Sequence, residues 1–267
     1  MGFERQQLEA ILTETLGITP ALKFYVHLFE TLPSTNQMLW QLLEQGAGAG
    51  TIVIANQQTA GRGQWGRQWS SPVGGLYLSM ALAPNLPAGD SFQLTLSSAW
   101  GIATALRDRH IPVYLKWPND LILENRKLGG ILTETKIRQG IITQAVVGVG
   151  INWANSVPST GINLQSFQAN QPSTITSLEM LAAVTVIGIA SGYKQCSQAG
   201  IETLLPSYHQ LLTNIGQIVS INDRSGIVVG VTATGELRVH LAQEAGDNSI
   251  NTPEIYLQPG SISLGYG

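Results

Sequence analysis

Residues 143–151 form a nearly unbroken apolar run that carries glycines at 148 and 150. A strand with no polar face belongs at the centre of a sheet covered on both sides. The rest of the chain must supply both neighbours and cover. Strands are expected at 24–29, 51–55, 76–82, 113–117, 121–123 and 127–135, with tight turns at Pro118-Asn119-Asp120 and Glu124-Asn125-Arg126. Helices are expected where apolar residues recur at helical spacing. One runs through Leu8, Ile11, Leu12 and Leu16 and stops at Gly17 and Pro20. A second starts from an N-cap at Ser34 or Thr35, passes Met38, Leu39, Leu42 and Leu43, and closes at Gly46. Others are expected at 92–109, 177–191 and 201–212.

The final part of the chain changes character. Short strands at 217–221, 226–231, 237–241, 254–257 and 261–264, separated by Asp-Arg-Ser-Gly and Thr-Gly turns, suggest a small barrel or sandwich. A boundary near residue 213 divides an α+β domain, 1–213, from a small β domain, 214–267. Hydrophobic residues at 43% against charged residues at 12% suffice for a packed core and argue against disorder.

Net charge is −3, and no run of Lys or Arg exceeds two, so no basic patch for nucleic-acid phosphates is visible. The single cysteine, Cys196, has no partner for an internal disulfide, which fits a reducing compartment. The N-terminus lacks the basic-then-apolar layout of a signal peptide, and Gln6 stands where myristoylation wants Ser or Thr. The most apolar stretch, 181–190, is far shorter than the roughly 20 residues of a membrane helix. A soluble, cytoplasmic protein is expected.

Three segments carry chemistry. Gly61-Arg62-Gly63-Gln64-Trp65-Gly66-Arg67 matches the spacing of a dinucleotide fingerprint, but Trp69-Ser70-Ser71-Pro72 breaks the helix that should follow. Arg67-Gln68 also stands where a P-loop needs Lys-Ser/Thr. What remains is a flexible loop with backbone N–H groups and two arginines for an anion. A plain surface loop is the alternative, which Trp65 and Trp69 disfavour. Lys116-Trp117-Pro118-Asn119-Asp120 and Lys127-Leu128-Gly129-Gly130 set two lysines and a carboxylate at adjoining strand ends, although Pro-Asn-Asp is also an ordinary turn. Gly148-Val149-Gly150-Ile151-Asn152 allows close approach to a strand backbone, by a ligand or by a neighbouring strand.

Together with Ser34-Thr35-Asn36, Gln58-Thr59-Ala60, Leu76-Tyr77-Leu78-Ser79 and Ile131-Leu132, these segments resemble the biotin protein ligase family in residue type, order and approximate spacing. The resemblance spans 24–152; each motif is modest alone, but the set is specific. It implies a class II synthetase-like mixed sheet packed with helices, followed by a small SH3-like β-barrel. It also implies a two-step reaction. The biotin carboxylate attacks the α-phosphorus of ATP to give biotinyl-5′-AMP and pyrophosphate. A lysine amine of the biotin carboxyl carrier protein of acetyl-CoA carboxylase then displaces AMP.

The resemblance also implies the site. The catalytic set is Arg62, Lys116, Asp120 and Lys127, with Lys127 bridging carboxylate and phosphate, Arg62 holding phosphates and Asp120 the candidate base for the attacking amine. Ser34, Thr35, Asn36 and Gln58 are expected at the ureido ring of biotin. Gly61, Arg62, Gly63, Gln64, Trp69, Tyr77, Ser79, Lys127, Leu132, Gly148 and Gly150 complete the biotin site, with Trp69 as a lid when the loop folds over ligand. Arg62, Gln64, Arg67, Lys116, Asn119, Asp120, Lys127 and Asn152 are expected around ATP and the adenylate, with Mg2+ carried mainly by the nucleotide.

Trp153 is the aromatic available for adenine, a buried core tryptophan being the alternative. With about twenty-three residues before the first strand, an N-terminal winged helix has no room, so a catalyst without DNA binding is expected. The oligomeric state, a homodimer included, is left open. Two rivals stand beside this reading. One is a lipoate or octanoate ligase of the same superfamily, on which the polar residues at 34–36 and 58 would be wasted. The other is a non-catalytic biotin sensor, which would not need Arg62, Lys116, Asp120 and Lys127.

One departure from the family pattern is Gln64, where a second arginine is usual. A neutral amide loses a charge-assisted contact. The expected outcome is that Gln64→Arg slows release of the adenylate from the protein; an unchanged release rate sinks this reading.

Overall fold

A computed structural model of the chain describes residues 3–16, 23–169, 172–242, 253–262 and 264–265. In chain order the elements are α1 (Arg5–Leu16), β1 (Tyr25–Leu32), α2 (Thr35–Glu44), β2 (Thr51–Gln58), β3 (Gly75–Leu82), the short β4 (Leu86–Pro87), α3 (Phe92–Arg107), β5 (Tyr114–Lys116) and β6 (Asp120–Leu123). They continue as β7 (Arg126–Arg138), β8 (Ile141–Asn152), α4 (Leu164–Gln168), α5 (Leu178–Ala199), α6 (Ile201–Leu211), β9 (Ile218–Ile221), β10 (Arg224–Val231), β11 (Leu237–Leu241) and β12 (Glu254–Leu257).

The large sheet has the order β1-β2-β3-β8-β7-β6-β5, with β4 beside β8. Only β1 and β2 run parallel, so the sheet is mixed. β8 lies between β3 and β7, the central place its composition demands. Successive residues of a strand face opposite ways, and the register shows what each face does. Leu78, Val149 and Ile131 fall in one row, as do Met80, Val147 and Thr133. This face is covered by α3 and α5, and Thr95 of α3 donates to Thr133 (2.9 Å). The opposite face carries Val53, Ala55, Ala81 and Val146, packed on Leu39 and Leu43 of α2.

α3 and α5 touch backbone to backbone. A Cβ on Gly101 would lie 2.0 Å from the Gly188 carbonyl oxygen, and one on Gly192 would lie 2.0 Å from that of Ser97. Small residues at matching points let the helices approach this closely. α5 starts at Ser177, whose side chain caps the Met180 N–H (3.1 Å), and ends at Gly200 with φ 82. It outruns the expected stop at 191 because the face bearing the buried Cys196 continues to pack.

The second sheet is antiparallel, in the order β12-β11-β10-β9, with a bulge between Val228 and Gly230. Its strands match four of the five expected in this region. Of the fifth, at 261–264, the described residues form no strand: Ser261 and Ile262 form a bend and Leu264 has no strand pairing. The expected helix stop at Gly17 and Pro20 lies outside the described residues. α4 and β4 have too few residues for a periodic signal and were not anticipated. Trp117 joins the two sheets: its backbone N–H donates to Asn214 Oδ1 and its indole N–H to the Gly235 carbonyl, both at 2.8 Å. Among the described residues no helix is long and apolar enough to cross a membrane.

Candidate active site

The site face of the large sheet is where the strand glycines fall. Gly150 pairs with Gly130 and with Tyr77, and Gly148 pairs with Leu132 and Ser79. These glycines form a floor because neighbouring groups already occupy the space above them. A Cβ on Gly148 would come within 2.1 Å of Asn36 Oδ1, and one on Gly150 within 2.4 Å of the Trp69 Nε1. The close approach permitted by these glycines therefore serves a side-chain layer over the strands.

A cleft opens over this floor. Its walls are Ser34, Thr35 and Asn36 at the start of α2, Gln58 at the end of β2, loop residues from Arg62 to Trp69, the β5–β6 turn from Lys116 to Asp120, and Lys127, Gly130, Ile131 and Leu132 of β7. At the polar end, the Thr35 backbone N–H donates to Gln58 Oε1 (2.8 Å), and Gln58 Nε2 donates to Ser71 Oγ (2.8 Å). Asn36 Nδ2 donates to the Leu132 carbonyl (3.3 Å) and to Glu134 Oε2 (2.8 Å), while its Oδ1 accepts from Ser79 (2.6 Å). Ser34 holds the N-cap position of α2 but makes no side-chain cap bond.

The cationic end lies across three adjacent strands. Asp120 pairs in register with Lys116 on β5 and with Gly130 on β7. Lys127 Nζ sits 2.7 Å from Asp120 Oδ1 and 5.2 Å from the centre of the Trp69 ring. Lys116 is buried, and burial brings its pKa down to about 8; Asp120 opposes that fall, while Lys127 and Arg67 add to it. Asn119 Nδ2 is bonded to the Ile131 carbonyl (2.6 Å). The peptide bond between Trp117 and Pro118 is cis. Arg62 pairs with Glu134 (2.5 Å).

Two polar atoms of lining residues, Gln64 Oε1 and Trp69 Nε1, are buried without a hydrogen-bond partner. Buried polar groups are nearly always paired; the Trp69 nitrogen is instead packed against the backbone at Gly150.

Most residues expected from the sequence converge here, but four lie outside the lining. Gly61 is packed against the Trp69 carbonyl and Ser71, where a Cβ would fall 2.3 Å from the former. Tyr77 is fully buried beneath the loop and donates its hydroxyl to the Pro72 carbonyl (2.7 Å), and burial raises its pKa. Ser79 lies under Asn36 and Thr35 and supports them. Asn152 donates to the Lys127 carbonyl (3.4 Å) and accepts from Asn155 (2.9 Å), and so acts on the backbone of β7. Trp153 belongs to the helical core and does not face the cleft.

Conversely, Gly260, Ile262 and Leu264 close one side of the cleft and were not anticipated. Trp65, about half exposed, rests on Gly260, where a Cβ would lie 2.6 Å from the indole. Nothing local in 260–264 signals this contact across the chain.

Residues 28–152 match the biotin/lipoate A/B protein ligase family. The bifunctional ligase/repressor BirA of Bacillus subtilis (strain 168) is 36% identical over 125 residues, which are 46% of this chain and 38% of that protein. The chain thus matches little more than a third of that relative's length. The bifunctional ligase/repressor BirA of Escherichia coli (strain K12) is 34% identical over 221 residues, 79% of this chain and 68% of that protein. A solved biotin protein ligase from Aquifex aeolicus, in complex with biotin and ATP, superposes with a TM-score of 0.69 at 23% identity, over 89% of this chain and 97% of that one. At that identity the likeness speaks for the fold, which is the α+β architecture described above with its separate C-terminal sheet. At 34% identity over 68% of the Escherichia coli protein, the chain belongs to the biotin/lipoate A/B protein ligase family.

Proposed function

We propose that this protein is an ATP-dependent ligase that forms biotinyl-5′-AMP and transfers the biotinyl group to a lysine of the biotin carboxyl carrier protein of acetyl-CoA carboxylase. The observation that carries the reading is the polarity of one cleft. Neutral hydrogen-bonding groups from 34–36 and 58 line one end, beside which Glu134 holds Arg62, while Lys116, Lys127 and the loop arginine Arg67 line the other. A ureido ring offers two N–H donors and a carbonyl to the first end, and phosphates suit the second. The carrier and the cytoplasmic location rest on the family resemblance; the lone, buried Cys196 fits a reducing compartment.

In the first step a carboxylate oxygen bonds to the α-phosphorus and the bond to the β-phosphate oxygen breaks. Two anions must approach, so fixed cations at the developing charge supply the main stabilisation. Lys127, which sits between Asp120 and the Trp69 ring, is assigned to the carboxylate and α-phosphate. Lys116 and Arg67 are assigned to the phosphates, and Asn119 to the adenylate. Asp120 is the carboxylate in the cleft lining, and no cluster of three His, Cys, Asp or Glu able to hold a metal exists among the described residues. That donor set fits magnesium, which takes one or two carboxylates, waters and substrate phosphates; when bound with ATP it would neutralise phosphate charge beside Asp120.

In the second step the amine nitrogen bonds to the acyl carbon, AMP leaves, and the amine gives up a proton. When Lys127 turns to the phosphate, its ion pair with Asp120 is released and the carboxylate becomes available to that proton. Asp120→Asn is expected to slow transfer from preformed adenylate by about 100-fold, typical of losing a general base; transfer at the wild-type rate rules out this role.

The primary test follows pyrophosphate release from ATP with biotin and, separately, with lipoate. Biotin is expected to support release, lipoate is not, and Lys127→Ala is expected to lower the rate at least about 100-fold. Release with lipoate instead would move the substrate to the rival acid. Binding of biotin without any release would make the protein a sensor.

The lowered pKa of Lys116 sets a pH dependence. A bound polyanion favours the ammonium form, so nucleotide binding takes up a proton near pH 8. Calorimetric affinity for ATP is expected to fall as pH rises through about 8, by at most roughly tenfold per unit. Lys116→Met should flatten this profile; a wild-type profile already flat between pH 7 and 9 contradicts it.

A further inference from the structure

Arg62 is expected at the phosphates, yet its guanidinium is held by Glu134, a β7 residue that the sequence motifs do not include. Glu134 stands opposite Val146 in the β7–β8 register, two positions from Leu132 on the same face of the sheet. Its two carboxylate oxygens have different partners. Oε1 accepts from Arg62, and Oε2 accepts from Asn36 Nδ2 at 2.8 Å.

The bonds continue beyond Asn36. Ser79 donates to Asn36 Oδ1 (2.6 Å) and lies 2.8 Å from Thr35 Oγ1, whose hydroxyl proton fills that contact. Thr35 holds Gln58 through its backbone N–H, Gln58 holds Ser71, and Ser71 donates to the Trp69 carbonyl (3.0 Å). The network therefore starts and ends on the same glycine-rich loop. That loop is itself cross-linked: Arg62 and Gln68 form a backbone bridge, and the Trp69 N–H donates to the Gly61 carbonyl (3.0 Å). Whatever anchors the Arg62 side chain thus anchors the segment from 61 to 69.

We propose that Glu134 is a positioning residue that fastens Arg62 and the glycine-rich loop to the polar end of the cleft, and that it yields the arginine to nucleotide phosphate. The proposal rests on the ligase reading only for the identity of the incoming anion. Both partners are partly exposed, at 48% and 23% of their side-chain surface, so the pair is weak enough to exchange. A polyanion offers the same guanidinium more charge and the same planar geometry. Glu134 itself keeps its bond to Asn36 throughout, so the floor of the cleft is undisturbed when the loop arginine changes partner.

The test compares wild type with Glu134→Gln, which retains an acceptor for Asn36 and removes the charge facing Arg62. Tryptic cleavage after Arg62 and Arg67 in the ligand-free protein is expected to quicken about two- to fivefold, the scale of a partly exposed ion pair. The KM for ATP in pyrophosphate release is expected to fall by a similar factor, with kcat moving less than KM. Unchanged cleavage would overturn the proposal, because the loop would not depend on Glu134. A raised KM for ATP with a matching loss of kcat would overturn it too, since Glu134 would then support Arg62 in the nucleotide complex. If wild type releases no pyrophosphate with any acid, the ligase reading fails, and the cleavage comparison still decides the role of Glu134.

Discussion

The two faces of β8 make opposite demands, and the pairing of β8 with β7 and β3 meets both. On one face Val147, Val149 and their neighbours in Ile131, Leu78 and Met80 bury against α3 and α5. Burial of such side chains stabilises a fold by roughly 1.5–3 kcal/mol each, so this face fixes the register firmly. A slip of one residue would exchange the faces. The other face then has Gly130 beside Gly150, with Gly148 two positions on, and the missing side chains at 148 and 150 let Asn36 and Trp69 lie down on the sheet as walls of the cleft.

With the floor in place, the cations need only short reaches from strand ends. Charged residues make up 12% of the chain, yet Arg62, Arg67, Lys116 and Lys127 all reach one cleft. Such a concentration is costly without counter-charge. Asp120, in register with Lys116 and in contact with Lys127, supplies part of it, and Glu134 supplies another part at Arg62. Lys116 has a pKa brought down to about 8 chiefly by its burial, with Lys127 and Arg67 adding to the fall. A site that binds polyanions is expected to hold its cations imperfectly compensated, so that the ligand completes the balance.

The cleft is also closed from a distance. Trp117 ties the β5–β6 turn to the C-terminal sheet through Asn214 and Gly235, while Trp65 of the glycine-rich loop rests on Gly260. Ile262 and Leu264 thereby become part of the wall. Both tryptophans line the cleft, and both meet the C-terminal part of the chain.

Much of this was legible in the residues themselves. The apolar run at 143–151 required a central strand, helical spacing located the cover, and the lysines, arginines and Asp120 declared their chemistry by type and local order. Local signals fail where a role depends on the partner. Tyr77 and Ser79 have ligand-like side chains, but the folded chain directs them to Pro72 and Asn36. Glu134 looks like one more polar residue on a strand until the register sets it between Asn36 and Arg62. Residues 261–264 alternate like a strand, yet the described part bends and lines the cleft instead. The sequence by itself determined which segments are apolar, which can turn and which carry charge, because these follow from side-chain chemistry and spacing. Only the tertiary structure decided which polar atoms meet one another and which residues come together around the cleft, because hydrogen bonds and ion pairs are settled by contacts between residues far apart in the chain.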